Sequence, residues 1–271
     1  MNDLWVLLQY LFLGLFQGFT EPIPISSSGH LVLVRQFMEL DLDITFEGFL
    51  NFGSLIAVLI IYRKDIIRLT TNSLSYVFKK NKDGANDFRF VLFLIIATIP
   101  AGVLGVLLED WISKTFNEGL RAVGIALLVT GIALWIIRNI RGHKGEAEVT
   151  AKDAIIIGLA QAVALMPGIS RSGATIVGAM LLGLKQETAL RFSFLLYIPV
   201  SLGTMIFSVK DMVGAGTFQT LWIPLVVGLI GAIVASYYAL LWFMNIMKNG
   251  NLKYFAFYCF AISAIILLFL A

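Results

Sequence analysis

Four residues of chemically active type stand among apolar neighbours in this chain: Glu21, Ser27, His30 and Arg171. A hydroxyl that can attack, an imidazole that titrates near neutrality, a carboxylate and a guanidinium are the parts of a site that moves a proton and steadies an anion. They sit in two related stretches. The first runs from Gly14 to His30 and contains Gln17, Glu21, Ser26, Ser27, Ser28 and Gly29. The second runs from Gly158 to Gly173 and contains Gln161, Pro167, Ser170, Arg171 and Ser172, with Thr175 just beyond. Aligned without gaps, Gly14-Leu15 matches Gly158-Leu159, Gln17 matches Gln161, Ile25-Ser26 matches Ile169-Ser170, and Ser28-Gly29 matches Ser172-Gly173.

The surroundings decide how such groups are read. The chain has 271 residues, of which 59% are hydrophobic and 14% charged, with mean hydropathy +0.88. A soluble domain carries nearer a quarter charged, so the composition predicts an integral membrane protein. Burying an ionisable side chain at bilayer depth costs at least ~2.5–3.5 kcal/mol, which favours a function for Glu21, His30 and Arg171. The net charge of +3 gives no reason to expect nucleic acid. The single cysteine, Cys259, forms no internal disulfide. Met1-Asn2-Asp3 lacks a basic leader region, so no signal peptide is expected. Neither stretch contains Gly-Lys-Ser/Thr, which argues against a nucleotide-binding P-loop. The lack of further Cys or clustered His argues against zinc.

Six apolar stretches are long enough, or nearly so, to span a bilayer: about 47–62, 88–107, 119–138, 188–207, 221–243 and 254–271. Regions 4–38 and 153–184 are each broken by one of the polar stretches. The expected fold is therefore an all-α membrane protein with an inverted-topology repeat. Each half is a re-entrant broken-helix hairpin plus three transmembrane helices. Repeat 1 covers about 1–138, repeat 2 about 153–271, and a cytoplasmic linker 139–152. Sites in such folds lie where the broken helices meet. Arg63 to Arg89, Arg138 to Lys152, and Lys185, Arg191, Lys248 and Lys253 gather most of the 20 Lys and Arg on one expected side, which the positive-inside rule makes cytoplasmic. Both termini, the acidic cluster Glu39, Asp41, Asp43 and Glu47, and the pair Glu109-Asp110 then face outward. The polar stretch Ser73–Asp87 reads as a solvated loop, and His143 as a loop residue.

The hydroxyls precede new helices. A helix N-terminus offers free N–H donors and about half a positive charge. Two such ends plus Arg171 suit a multiply charged anion such as a diphosphate. Glu21 beside that anion makes sense if a divalent cation bridges them or if Glu21 orients His30. Oxygen ligands from Glu21 and Gln17, one helical turn apart, suit Mg²⁺ or Ca²⁺.

At these residues the sequence resembles the undecaprenyl-diphosphatase family, the BacA-type bacitracin-resistance proteins. One signature is Gln17-Gly-Phe-Thr-Glu21 followed by Pro24-Ile25-Ser26-Ser27-Ser28-Gly29-His30. The other is the Pro-Gly-x-Ser-Arg-Ser-x-x-Thr run from Pro167 to Thr175. Phe46-Glu47, Gly53-Ser54 and Phe192 to Leu196 before Pro199 also fit, so the likeness runs nearly end to end. The resemblance implies hydrolysis of C55 prenyl diphosphate to the monophosphate and inorganic phosphate, which recycles the lipid carrier for peptidoglycan and confers bacitracin resistance. It also implies a divalent cation and an outward-facing site in the bacterial cytoplasmic membrane. Glu21, Ser27, His30 and Arg171 match its catalytic positions. Ser26, Ser28, Gly29, Ser170, Ser172, Gly173 and Thr175 are expected to bind substrate. On this reading Ser27 attacks the terminal phosphorus or positions the attacking water, and His30 serves as general base and then acid. His30 as nucleophile stays open. The alternative is a lipid-phosphate transporter using the same inverted-repeat site. The expected partners are the polyprenyl diphosphate and membrane lipids. Gly-rich faces at Gly124–Gly131 and Gly228–Gly231 suit close helix contact within the chain or in a homodimer.

Overall fold

The computed structural model describes residues 3–38, 44–108, 119–166, 168–250 and 252–270. Pro167, Glu39, Asp41, Asp43, Glu109, Asp110 and Lys114 lie outside them. The helices are α1 (Asp3–Thr20), α2 (Ser27–Met38), α3 (Ile44–Ile61), α4 (Arg63–Lys79), α5 (Ala85–Leu107), α6 (Leu120–Ile137), α7 (Ala151–Val163), α8 (Arg171–Leu181), α9 (Gln186–Gly214), α10 (Thr217–Lys248) and α11 (Lys253–Ile265). Among the described residues, five helices or helical stretches are long and apolar enough to cross a membrane: Lys82–Leu107, α6, α9, α10 and Lys253–Leu270. A sixth span is available if α3 and α4, bent by 72° at Tyr62, count as one broken crossing. The protein is therefore an all-helical membrane protein. The remaining helices pair as α1/α2 and α7/α8, each pair interrupted where the sequence has its polar stretch.

Glycines set the main crossings. A β-carbon on Gly14 or Gly18 would run into the backbone of Gly228 or Ala232, so α1 lies directly on α10. A β-carbon on Gly158 would run into Ala97 and Pro100, so α7 lies on α5 in the same way. Gly14 and Gly158 are the aligned glycines of the two sequence copies, and each presses its helix onto a helix of the other half. Small residues permit this approach, which replaces the hydrophobic drive missing in lipid with close packing. Gly124 and Gly131 of α6 meet Ile266, Leu267, Cys259 and Phe260 near the end of the chain, and Gly231 meets Leu11 and Leu15. Both Gly-rich faces are thus used inside one chain. Pro224 lies within α10 and the backbone at Leu221 is non-helical (φ −125°, ψ 21°), as expected where a proline removes a backbone donor.

Ser73–Asp87 corrects an expectation. It is helical through Lys79 rather than a loop, and a further helical turn at Lys82–Gly84 leads into α5. Leu69 is buried, the Tyr76 and Phe88 rings lie 5.1 Å apart, and Asn72 Nδ2 donates to Asp87 Oδ2 at 2.6 Å. The apolar positions Ile66, Leu69 and Tyr76 recur at helical spacing, and their packing against α5 outweighs the polarity of the intervening residues. The chain ends this helix at Lys80, which takes a left-handed conformation (φ 54°).

Residues 139–152 are an ordered connection. His143 and Lys144 donate backbone hydrogen bonds to Gly183 C=O, both at 2.9 Å. Lys144 Nζ reaches Asp153 Oδ1 at 3.1 Å, and Asp153 also accepts from Thr150, capping α7. Glu146 accepts from Arg191 of α9 and from Arg68 of α4, the latter at 2.9 Å. Asp65 stands 3.6 Å from Arg191, and Asp87 stands 3.6 Å from Arg68. Burial alone would raise the Glu146 carboxyl, but the hydrogen bonds from Arg191 and Arg68 outweigh it and hold it below the ordinary 4.5. A carboxylate depressed in the folded state stabilises fully above its ordinary pKa, and that contribution fades as pH falls through the lower folded value. Glu146→Gln should therefore lower the melting temperature at pH 7. Melts in detergent should show the gap between variant and wild type closing as the pH drops below about 4.

Candidate active site

Two breaks in helices face each other. The first is Glu21–Ser26, where Pro22 and Pro24 cannot continue a helical ladder. Thr20 Oγ1 folds back to Phe16 C=O at 2.9 Å, and Glu21 N still bonds Gln17 C=O at 2.9 Å. Ser26 then takes a left-handed conformation (φ 69°), and its Oγ accepts from Gly29 N at 3.2 Å, starting α2. In the second break Gly168 supplies positive φ (89°), and Ser170 Oγ accepts from Gly173 N at 3.1 Å, starting α8. The aligned serines therefore make the same cap. Ser26 and Ser28 hydroxyls are 3.4 Å apart, and Ser170 and Ser172 hydroxyls 3.3 Å.

The tips touch. Gly168 N donates to Ser28 Oγ at 3.4 Å, and Ser172 Oγ donates to Ile23 C=O at 3.5 Å. A β-carbon on Gly29 would sit 3.2 Å from Gly168 Cα, and one on Gly173 would sit 3.4 Å from Pro24 Cβ. Glu21 is the hub. Its Oε1 accepts from Arg171 Nη2, and its Oε2 accepts from Ser27 Oγ and from Gln17 Nε2, the last at 3.1 Å. Gln17 also donates to Asn51 Oδ1. The Arg171 guanidinium lies 4.1 Å from the centre of the Tyr197 ring, and Tyr197 Oη donates to Asn51 C=O at 2.8 Å. A carboxylate, a hydroxyl and a guanidinium thus converge where two helix N-termini open, which favours an anion at that point.

A small pocket, with room for little more than a water molecule, opens beside this hub, lined by Glu21, Arg171, Ser172, Thr175, Gln161 and Ser193 among others. Thr175 Oγ1 donates to Arg171 C=O at 3.1 Å, supporting the residue rather than facing the cavity as a free donor. Gln161 Nε2 and Ser193 Oγ are buried without a partner among the described residues. The sequence singles out Gln161 as the counterpart of Gln17. It gives no such signal for Ser193, Asn51, Tyr197 or Tyr258, which come from distant spans.

His30 stands differently from the expectation that Glu21 orients it and that it serves Ser27. Its Nδ1 bonds Ser26 C=O at 2.8 Å and its Nε2 bonds Tyr258 Oη at 2.8 Å. Ser27 Oγ is bonded to Glu21 instead. Although i,i+3 positions share a helix face, the Ser27 hydroxyl bonds Glu21 and the His30 ring bonds Tyr258.

Among the described residues no group of three or more His, Cys, Asp or Glu is placed to hold a metal. Glu21 is the carboxylate that Arg171, Ser27 and Gln17 bond. Gln17 Oε1, however, is buried beside it with no partner among the described residues. One carboxylate plus an amide oxygen fits an Mg²⁺ or Ca²⁺ site completed by substrate phosphate and water.

A family model described as bacitracin resistance protein BacA matches residues 10–265. The chain belongs to the BacA family. Undecaprenyl-diphosphatase 1 of Bacillus cereus is 57% identical over 271 residues, covering all of both chains. Undecaprenyl-diphosphatase of Oceanobacillus iheyensis is 55% identical, covering 99% of this chain and 98% of its own. Undecaprenyl-diphosphatase 1 of Halalkalibacterium halodurans is 52% identical over 267 residues, covering 98% and 97%. In this BacA-family member the Glu21–Arg171 pair is largely buried, with side chains 10% and 23% exposed. Removing one partner of a buried pair leaves an uncompensated charge, at a cost of about 3 kcal/mol or more, whereas removing both costs less. Arg171→Gln should therefore destabilise the protein more than the double variant Glu21→Gln/Arg171→Gln, as read from thermal melts in detergent.

Proposed function

We propose that this protein hydrolyses undecaprenyl diphosphate, a C55 prenyl diphosphate, to undecaprenyl phosphate and inorganic phosphate. The observation that carries the reading is the Glu21 carboxylate accepting the Ser27 hydroxyl while paired to Arg171, at the meeting of two serine-capped helix starts. The names of the relatives point to the same chemistry.

Ser27 Oγ gives its proton to Glu21 and bonds the terminal phosphorus as the bridging P–O bond breaks. Glu21 returns the proton to the departing prenyl monophosphate. Water then attacks the phosphoserine and loses a proton to Glu21, which passes it to the departing Ser27 Oγ as orthophosphate is released. Arg171 and the N–H groups opening α2 and α8 stabilise charge on the equatorial oxygens of a loose transition state. A divalent cation, held by Glu21 and Gln17 Oε1, would neutralise charge on the diphosphate. Ser26, Ser28, Gly29, Ser170, Ser172, Gly173 and Thr175 shape the helix starts that receive the anion.

The same reading includes the inverted repeat, with repeat 1 at about 1–138 and repeat 2 at about 153–271. Its support is the matched packing of Gly14 and Gly158 across the halves and the matched serine caps. The basic residues argue for the side with Arg68, Glu146 and Arg191 facing the cytoplasm and for an outward-facing site. A transporter would use the same architecture. The hydroxyl bonded to a carboxylate favours bond cleavage over passage.

Purified protein given C55 prenyl diphosphate with Mg²⁺ or Ca²⁺ should release phosphate. Ser27→Ala and Arg171→Ala should each lower kcat/KM on the order of 10³-fold, within the range seen when a transition-state cation or nucleophile is removed. No phosphate release by the wild type would refute the reading. Near-wild-type turnover by Ser27→Ala would remove the phosphoserine step in favour of direct attack by water.

A further inference from the structure

His30 is a titratable group that the proposed chemistry leaves unused, and its hydrogen bonds say what it does. Ser26 C=O can only accept, so His30 Nδ1, 2.8 Å away, carries the ring proton. Nε2 then holds a lone pair, and Tyr258 Oη, also 2.8 Å away, donates to it. The two rings lie nearly parallel at 11°, with centroids 5.5 Å apart. Tyr258 comes from α11, close to the far end of the chain, and is 39% exposed, whereas His30 is buried. The chain is thus arranged so that an outer phenol holds an inner imidazole.

The imidazole in turn holds a strained residue. Ser26 has φ 69°, a region that a β-carbon disfavours. Its carbonyl accepts both the His30 side chain at 2.8 Å and the His30 backbone N–H at 3.2 Å. The next residue is Ser27, and the direction of its Oγ towards Glu21 follows from the backbone at Ser26. We propose that Tyr258 is a positioning residue: its phenol fixes the His30 ring, which clamps the Ser26 carbonyl and keeps the Ser27 hydroxyl on Glu21. His30 acts through the backbone rather than as the base on Ser27. The functional part of this inference rests on Ser27 as the attacking group; the tautomer of His30 does not.

The chain has only two histidines, His30 and His143, so ¹⁵N-histidine labelling gives two rings, and His143→Gln assigns them. In the wild type, His30 should show a protonated Nδ1 and an unprotonated, hydrogen-bonded Nε2. Tyr258→Phe removes only the hydroxyl. It should move the His30 Nε2 resonance towards the unbonded value and lower kcat by ~10-fold, the scale of one hydrogen bond, with KM changed less than about two-fold. A wild-type His30 protonated on Nε2 would overturn the proposal, and that spectrum decides the matter even if Tyr258→Phe does not fold. An Nε2 resonance or a kcat unmoved by Tyr258→Phe would overturn it too, leaving Tyr258 a packing residue. Absence of wild-type phosphate release would instead sink the hydrolase reading and leave the tautomer result standing.

Discussion

One buried carboxylate ties the two halves of this protein together. Glu21 stands in the break of the first hairpin and accepts from Arg171 at the start of α8 in the second. In a bilayer neither charge nor either broken backbone is tolerable alone. The Pro-rich first break and the Gly-containing second break leave N–H groups and carbonyls that need partners, and the two tips supply them to each other through Ser28, Gly168, Ser172 and Ile23. The same meeting that satisfies the backbone brings together a hydroxyl, a carboxylate and a guanidinium at the two helix starts. Structure and chemistry here have one cause.

Close helix crossings outside the hub hold the two broken helix pairs in place. The Gly14–Gly228 and Gly158–Ala97 approaches seat each hairpin on the opposite half, so neither hairpin can withdraw without separating a backbone-to-backbone contact. Tyr197 and Asn51 back the hub from α9 and α3, which also pack on each other. At the connection between the halves, Glu146 gathers Arg68 and Arg191 and fixes the approach to α7.

Much of this was legible in the amino-acid order because the constraint is strong. Polar, Pro- and Gly-containing interruptions of apolar runs are rare in a membrane protein, and two aligned copies pointed to Gln17, Glu21, Ser27 and Arg171 without any coordinates. Hydropathy located the long spans. What stayed hidden is what depends on tertiary neighbours. Tyr258 and Tyr197 look like ordinary aromatic residues of apolar helices, and only folding brings their hydroxyl or ring to His30 and Arg171. Ser193 lies among Phe192 and Phe194 in an apolar run. Tyr258 as the partner of His30 is not legible, because sequence proximity to Glu21 and Ser27 says nothing of which way a ring turns. The charge of Ser73–Asp87 suggests a loop, while its helicity comes from a few apolar contacts with α5.

The most direct test of the account is whether the tips of the two hairpins touch in a membrane. Pro24 Cβ and a β-carbon placed on Gly173 would be 3.4 Å apart, close to the ~3.5–4.5 Å that a disulfide spans. In a Cys259→Ala background, Pro24→Cys/Gly173→Cys should oxidise to an internal disulfide in native membranes. A protease site placed in residues 139–152 would then cut the chain into fragments that stay joined until reduced. Fragments that separate without reductant under full oxidation would show the tips apart, and the account would fail with them.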